Sequence, residues 1–118
     1  MIRGRRITIM TGERRYRAGE EIRVHHVMEA TEPGIDVYVM GPKQVTDETV
    51  NGELRTAAGP PSADPFRPSE YDGRVVPGPA IDFNYEVTAY RFTRPGAYQI
   101  LWKPGEWKSN VLEIEVVR

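Results

Sequence analysis

The final quarter of the chain most narrows what it can fold into. Phe92-Thr-Arg-Pro-Gly-Ala-Tyr-Gln-Ile-Leu-Trp102 leads through Lys-Pro-Gly-Glu-Trp-Lys-Ser-Asn110 into Val-Leu-Glu-Ile-Glu-Val116. Tyr98, Ile100 and Trp102 alternate, and so do Leu112, Ile114 and Val116, with Glu113 and Glu115 between them. Apolar residues at period two share one face of an extended strand, whereas a helix would scatter them around its axis. Arg94-Pro95-Gly96 and Lys103-Pro104-Gly105 are turn chemistry. The spacing therefore predicts two strands joined by a turn, each with one face in a core.

The same grammar runs through the rest of the sequence. Ile7 and Ile9 mark a strand over 5–11, turned by Gly12-Glu13. After a turn at 16–20, Ile22, Val24, His26 and Met28 alternate, then Ile35, Val37 and Val39 after Glu32-Pro33-Gly34. Val45, Val50 and Leu54 suggest short edge strands, with Asn51-Gly52 as a hairpin turn and Thr46–Thr49 as one helical turn. Ile81, Phe83, Tyr85 and Val87 alternate strictly, and Tyr90 and Phe92 follow in changed phase, which predicts a bulge near Thr88-Ala89. The expected core is Ile22, Val24, Val37, Val39, Phe83, Tyr98, Ile100, Trp102, Leu112 and Ile114. About seven short strands in a chain of 118 residues indicate one all-β domain, an antiparallel β-sandwich over residues 1–118.

Residues 56–79 differ in kind. They hold six of the ten prolines: Pro60, Pro61, Pro65, Pro68, Pro77 and Pro79. Proline lacks the ladder donor, so the segment is expected as one long extended loop. Phe66 and Tyr71 are its best apolar anchors, onto the domain or onto a partner.

Tyr16-Arg-Ala-Gly-Glu-Glu-Ile-Arg-Val24 resembles the opening "Y-x-x-G-E-x-I-x-V" of bacterial immunoglobulin-like modules, among them macroglobulin-type and intracellular-proteinase-inhibitor-like domains. Phe92-Thr-Arg-Pro-Gly-Ala-Tyr98 is similar to the "f-x-x-P-G-x-Y" before their penultimate strand. The resemblance implies an immunoglobulin-like sandwich and, by analogy, a tyrosine corner in which the Tyr98 hydroxyl bonds to backbone near Phe92–Pro95. It does not reach residues 41–80.

Composition removes several function classes. With no cysteine, disulfides, thiol catalysis and cysteine zinc sites are excluded. His25 and His26 are adjacent, so on a strand they point to opposite faces, with His26 inward; no metal site and no cofactor are expected. A net charge of -1 gives no drive toward nucleic acid. The arginines of residues 1–25 are interleaved with Glu13, Glu20 and Glu21, and an acidic stretch follows over 29–53. No segment has the ~20 apolar residues of a membrane span. The start of the chain lacks the apolar run of a signal peptide, which suggests a cytoplasmic protein or a mature or excised exported domain.

No catalytic set stands out. Ser62, Ser69 and Ser109 lie in no nucleophile elbow, and Ser109 is expected to cap a turn. Carboxylate spacing selects no pair. The expectation is therefore no enzyme activity, and a protein–protein interaction module or structural subunit in contact with a protein partner or with itself. Phe66, Tyr71 and Trp107 are the expected contact residues, and a small-molecule ligand is not expected. Two alternatives remain open: a small immunoglobulin-like protease inhibitor using the 56–79 loop, and a carbohydrate- or ligand-binding sandwich using Trp107 and loop aromatics. Tyr38 and Tyr85 are candidates for an outward aromatic face.

Overall fold

Alternation becomes strand in most segments of the computed structural model, which describes residues 4–39, 42–65 and 74–118. Eleven strands occur among the described residues: β1 (Arg5–Met10), β2 (Arg15–Arg17), β3 (Glu21–Ala30), β4 (Asp36–Val39), β5 (Glu48–Val50), β6 (Glu53–Leu54), β7 (Arg74–Pro77), β8 (Ala80–Asp82), β9 (Thr88–Arg91), β10 (Gly96–Trp102) and β11 (Leu112–Val117). One sheet has the order β1-β3-β8, with β9 also paired to β3. The second has the order β2-β11-β10-β5-β6, and β4 and β7 form a separate two-stranded ladder. All pairings are antiparallel except β2 beside β11, which is parallel.

The count exceeds the expected seven because β2 forms where a turn is expected over 16–20, β7 forms inside the stretch expected as a loop over 56–79, the edge segment divides into β5 and β6, and the strand expected over 81–92 divides into β8 and β9. Gly12 and Glu13 separate β1 from β2, which join different sheets. Asn51 (φ 50°) and Gly52 (φ 81°) make the left-handed hairpin turn between β5 and β6. The expected strand over 81–92 is interrupted. Met28 faces Asp82 and Val24 faces Thr88, so residues 25–27 of β3 stand opposite the longer stretch 83–87. The break thus lies before Thr88 rather than at Thr88-Ala89. The helical turn expected over Thr46–Thr49 is replaced by Asp47 at φ 60° followed directly by β5.

One apolar cluster joins the inner faces of both sheets: Ile7 and Ile9, Ile22 and Val24, Val50, Ile100 and Trp102, Leu112 and Ile114. Of the expected core, Ile22, Val24, Val37, Ile100, Trp102, Leu112 and Ile114 are buried, and Val39 and Tyr98 are half-buried against the cluster. Phe83 is the correction, at 63% exposed. Asp82 takes the inward place opposite Met28, and strand alternation then turns Ile81 and Phe83 outward.

Side chains close two strand edges. The Asn110 amide accepts from Ile9 N (2.8 Å) and donates to Ile9 O (3.1 Å), completing the outer edge of β1 as a neighbouring strand would. Arg17 N donates to the Glu20 carboxylate (3.0 Å), and Arg17 O accepts from Glu20 N (3.0 Å), which blunts β2.

The Tyr98 hydroxyl donates to Arg94 O at 2.7 Å, inside the expected Phe92–Pro95 window. Its half-buried ring stacks on Phe92 at 3.9 Å, and Phe92 stacks on Tyr90. Because that hydroxyl is solvent-accessible, Tyr98→Phe is expected to cost about 0.5–1.5 kcal/mol, the net worth of one hydrogen bond. Urea denaturation checks this; a loss above about 3 kcal/mol would show that the hydroxyl braces more than a turn.

The stretch 56–79 is not one loop. Its end forms β7, which pairs with β4 from Asp36↔Pro77 to Val39↔Arg74. Its beginning docks on the body: Ala57 O accepts from Asp47 N, and Gly59 N donates to the Asp47 carboxylate. Phe66 and Tyr71 lie outside the described residues.

Candidate functional site

Among the described residues, two ion pairs lie inside the domain, and the sequence pattern announces neither. Glu48 alternates inward with Val50 on β5, and His26 alternates inward with Val24 and Met28 on β3. They meet between the sheets, His26 Nε2 against Glu48 Oε2, both side chains wholly out of solvent. His26 Nδ1 faces the Glu86 carbonyl at 3.0 Å. Both ring nitrogens therefore face acceptors, which requires a proton between Nε2 and the carboxylate. The other Glu48 oxygen accepts from Thr88 Oγ1 (2.6 Å) and from the Tyr90 hydroxyl. The His26 ring meets Trp102 edge-on at 4.9 Å.

Electrostatics follow from this placement. Burial by itself pushes the Glu48 carboxyl up, but the hydrogen bond and charge of His26, with the Thr88 and Tyr90 hydroxyls, outweigh it and hold the group below its ordinary range. Burial, and then the hydrogen bond and charge of Glu48, push the Tyr90 hydroxyl up. The carboxylate is thus ionised and fully bonded.

The second pair is Lys43 with Asp82, each about 5% exposed. Lys43 Nζ also donates to Tyr38 O (3.1 Å) and lies 4.6 Å over the Tyr85 ring. Asp82 accepts in turn from Asn84 N (2.9 Å). Backbone bonds hold the lysine in place, Lys43 N to Asn84 O and Glu86 N to Lys43 O, both 2.9 Å. Tyr85 is buried rather than outward, its hydroxyl donating to Pro65 O, while Tyr38 is half-buried. Burial raises the Tyr85 hydroxyl well above its ordinary value, and the Asp82 and Asp64 charges add to this. The Tyr85 ring, under Lys43, meets Trp102 at 5.1 Å, so the His26 and Tyr85 rings both pack on one indole.

Chemically this arrangement is closed. His26 presents neither ring nitrogen to a nucleophile, and Lys43 has an ion-pair partner, a carbonyl and an aromatic face. Among the described residues, no group of three or more histidine or acidic side chains could hold a metal ion. No helix of the described residues is long and apolar enough to cross a membrane.

Trp107 is not an exposed contact residue. The Lys103–Lys108 turn folds back, Trp107 N donating to Pro104 O (2.9 Å), and carries the indole into the core at 6% exposed. Gly105, at φ 57°, sits so close to the 60–65 segment that a Cβ would collide with the Ala63 carbonyl. Ser109 caps this turn, its hydroxyl accepting from Trp102 N at 3.0 Å.

The accessible feature lies elsewhere. Asp82 faces inward, so Ile81 (55% exposed) and Phe83 (63% exposed) face outward from the β1-β3-β8 sheet. Met10 lies on the same face, opposite His25. Buried Val27 lies on this side of β3, apart from the main cluster. Placing Phe83 in the core hid this patch; the one signal for it is Asp82 in mid-strand, whose burial forces its neighbours out. No known family model, characterised protein or solved structure matches the chain.

Proposed function

We propose that the chain is an immunoglobulin-like β-sandwich module, without enzymatic activity, that works by contact with a protein surface. The fold reading draws support from the topology. An opening strand pairs with β3 in one sheet, and its continuation β2 then runs parallel to the last strand in the other. The contact reading rests on the outward patch of Ile81 and Phe83. Exposed apolar side chains grouped on one sheet face cost solubility and mark contact sites more often than accident. The two buried ion pairs favour the same reading, since their charged groups are occupied by partners inside the domain.

The inhibitor and carbohydrate alternatives have less behind them. The described flanks of the 56–79 stretch lie on the body, and Trp107 is a core residue. A photo-crosslinking residue at position 83, compared with one at the exposed Glu53 on β6, tests the contact reading. Discrete adducts from position 83 alone are expected. Diffuse labelling of equal strength from both positions would overturn the proposal.

A further inference from the structure

We infer that the free edge of β9 takes up an extended, acidic segment of a partner protein as an added antiparallel strand. The inference goes beyond the patch of Ile81 and Phe83 and concerns a different surface, the backbone of a strand edge. Thr31 N donates to Gly4 O (2.8 Å), in line with the register of β1 and β3. That bond sets the phase of β3: odd-numbered residues turn their N–H and C=O groups to β1, and even-numbered ones turn theirs to the other side. Ile22 and Val24 therefore bond to Tyr90 and Thr88. Ala89 and Arg91 then direct their N–H and C=O groups away from β3. Among the described residues, no second strand and no hydrogen-bonding side chain meets those groups.

The other edges differ. β1 carries the Asn110 amide, and β2 carries the Glu20 carboxylate. β6 has only two residues, β7 ends in Pro77, which lacks a donor, and β8 lies against β4. A bare edge is a template for another chain. Its two donor–acceptor sets, about 7 Å apart, match the repeat of an antiparallel strand. Thr88 and Tyr90 anchor β9 inward on Glu48, so the edge is in place before a partner arrives. Ala89 is exposed and small, which lets a second backbone approach. Charge selects the occupant. Arg23 faces Ala89 in register, and Arg23 (3.8 Å) and Arg91 (3.2 Å) share one carboxylate, Glu21. Glu21 and the Gly19 carbonyl (3.0 Å) draw the Arg91 side chain back over β3 and clear the edge. Two guanidiniums with one acid leave positive charge beside the added strand. That favours acidic side chains on it and disfavours a second copy of β9, which would bring the same excess.

The test is amide NMR of the full chain with a capped heptapeptide alternating valine and glutamate, titrated to about 1 mM, where weak association registers. The peptide should slow exchange of the Ala89 and Arg91 amides and leave Thr88 and Tyr90, already bonded to β3, unchanged. A valine–lysine peptide should bind on the order of tenfold more weakly. Ala89→Pro removes an outward N–H and none of the bonds to β3, so it should fold and weaken binding about tenfold or more. The same peptide N-methylated at alternate residues cannot form the ladder and should not bind wild type, which guards against a folding defect in the variant. Absence of protection at Ala89 and Arg91, or equal binding by the N-methylated peptide, would overturn the inference. A mass that doubles from 13.4 kDa and reverts in Ala89→Pro would place a second copy on this edge and overturn the acidic occupant. Crosslinks from position 83 without protection at the edge keep the contact reading and sink this inference; protection without such crosslinks does the reverse.

Discussion

Glu48→Ala is expected to destabilise the domain by about 3–5 kcal/mol, the usual result of removing one partner from a buried ion pair. The loss is large because three groups depend on this carboxylate, His26 Nε2 on one oxygen and Thr88 and Tyr90 on the other, and these bonds fix an inter-sheet contact. Marginal stability of ~5–15 kcal/mol leaves little reserve against such a change. Urea denaturation should show a lower midpoint at unchanged slope. Acid tests the same group. Its folded-state pKa lies below its ordinary value of 4.5, so it binds a proton less readily folded than unfolded. Its stabilisation is therefore complete above the unfolded value and is lost as pH falls through the folded one. Wild-type stability should drop steeply below about pH 4.5, and Glu48→Gln, which has no carboxylate to protonate, should flatten that limb. A Glu48→Ala protein within about 1 kcal/mol of wild type would mean that the pair is not held as described.

What the sequence discloses follows physical lines. The strands β10 and β11 were legible because alternation, Pro-Gly turns and outward glutamates all agree there. The Asn51-Gly52 turn and the inward His26 were legible for similarly local reasons. Glu48 was not, because a glutamate two residues before a buried valine counts as surface until its partner is known, and that partner is 22 positions away. Lys43 and Asp82 were missed in the same way across 39 positions. Period-two reasoning assigns a face by hydrophobicity, so where a charge is buried it names the wrong face. Phe83 was placed inside and Asp82 outside, and the structure reverses both. Trp107 failed for another reason: composition shows a turn but not which way the turn folds.

Replacing Lys43 or Asp82 singly, as Lys43→Met or Asp82→Leu, should cost about 3–5 kcal/mol, whereas the double variant should return to within about 1–2 kcal/mol of wild type. Each single change strands a charge in a site that is about 5% exposed, and the double removes both charges together. A double-mutant cycle reads the difference directly; additive losses would show that the pair is not coupled. The near-neutral double raises the question of what the pair contributes if not net stability. The geometry points to register. Asp82 opposite Met28 sets the phase of β8, and a slip by one residue would exchange Asp82 with Phe83 or Ile81. With Lys43 present, only the register that brings Asp82 inward satisfies the ammonium. Without the pair, an apolar chain segment has reason to bury Phe83. The double variant should therefore keep most of its stability while amide exchange over 80–83 quickens. Unaltered exchange in a stable double variant would show that strand pairing alone holds the phase.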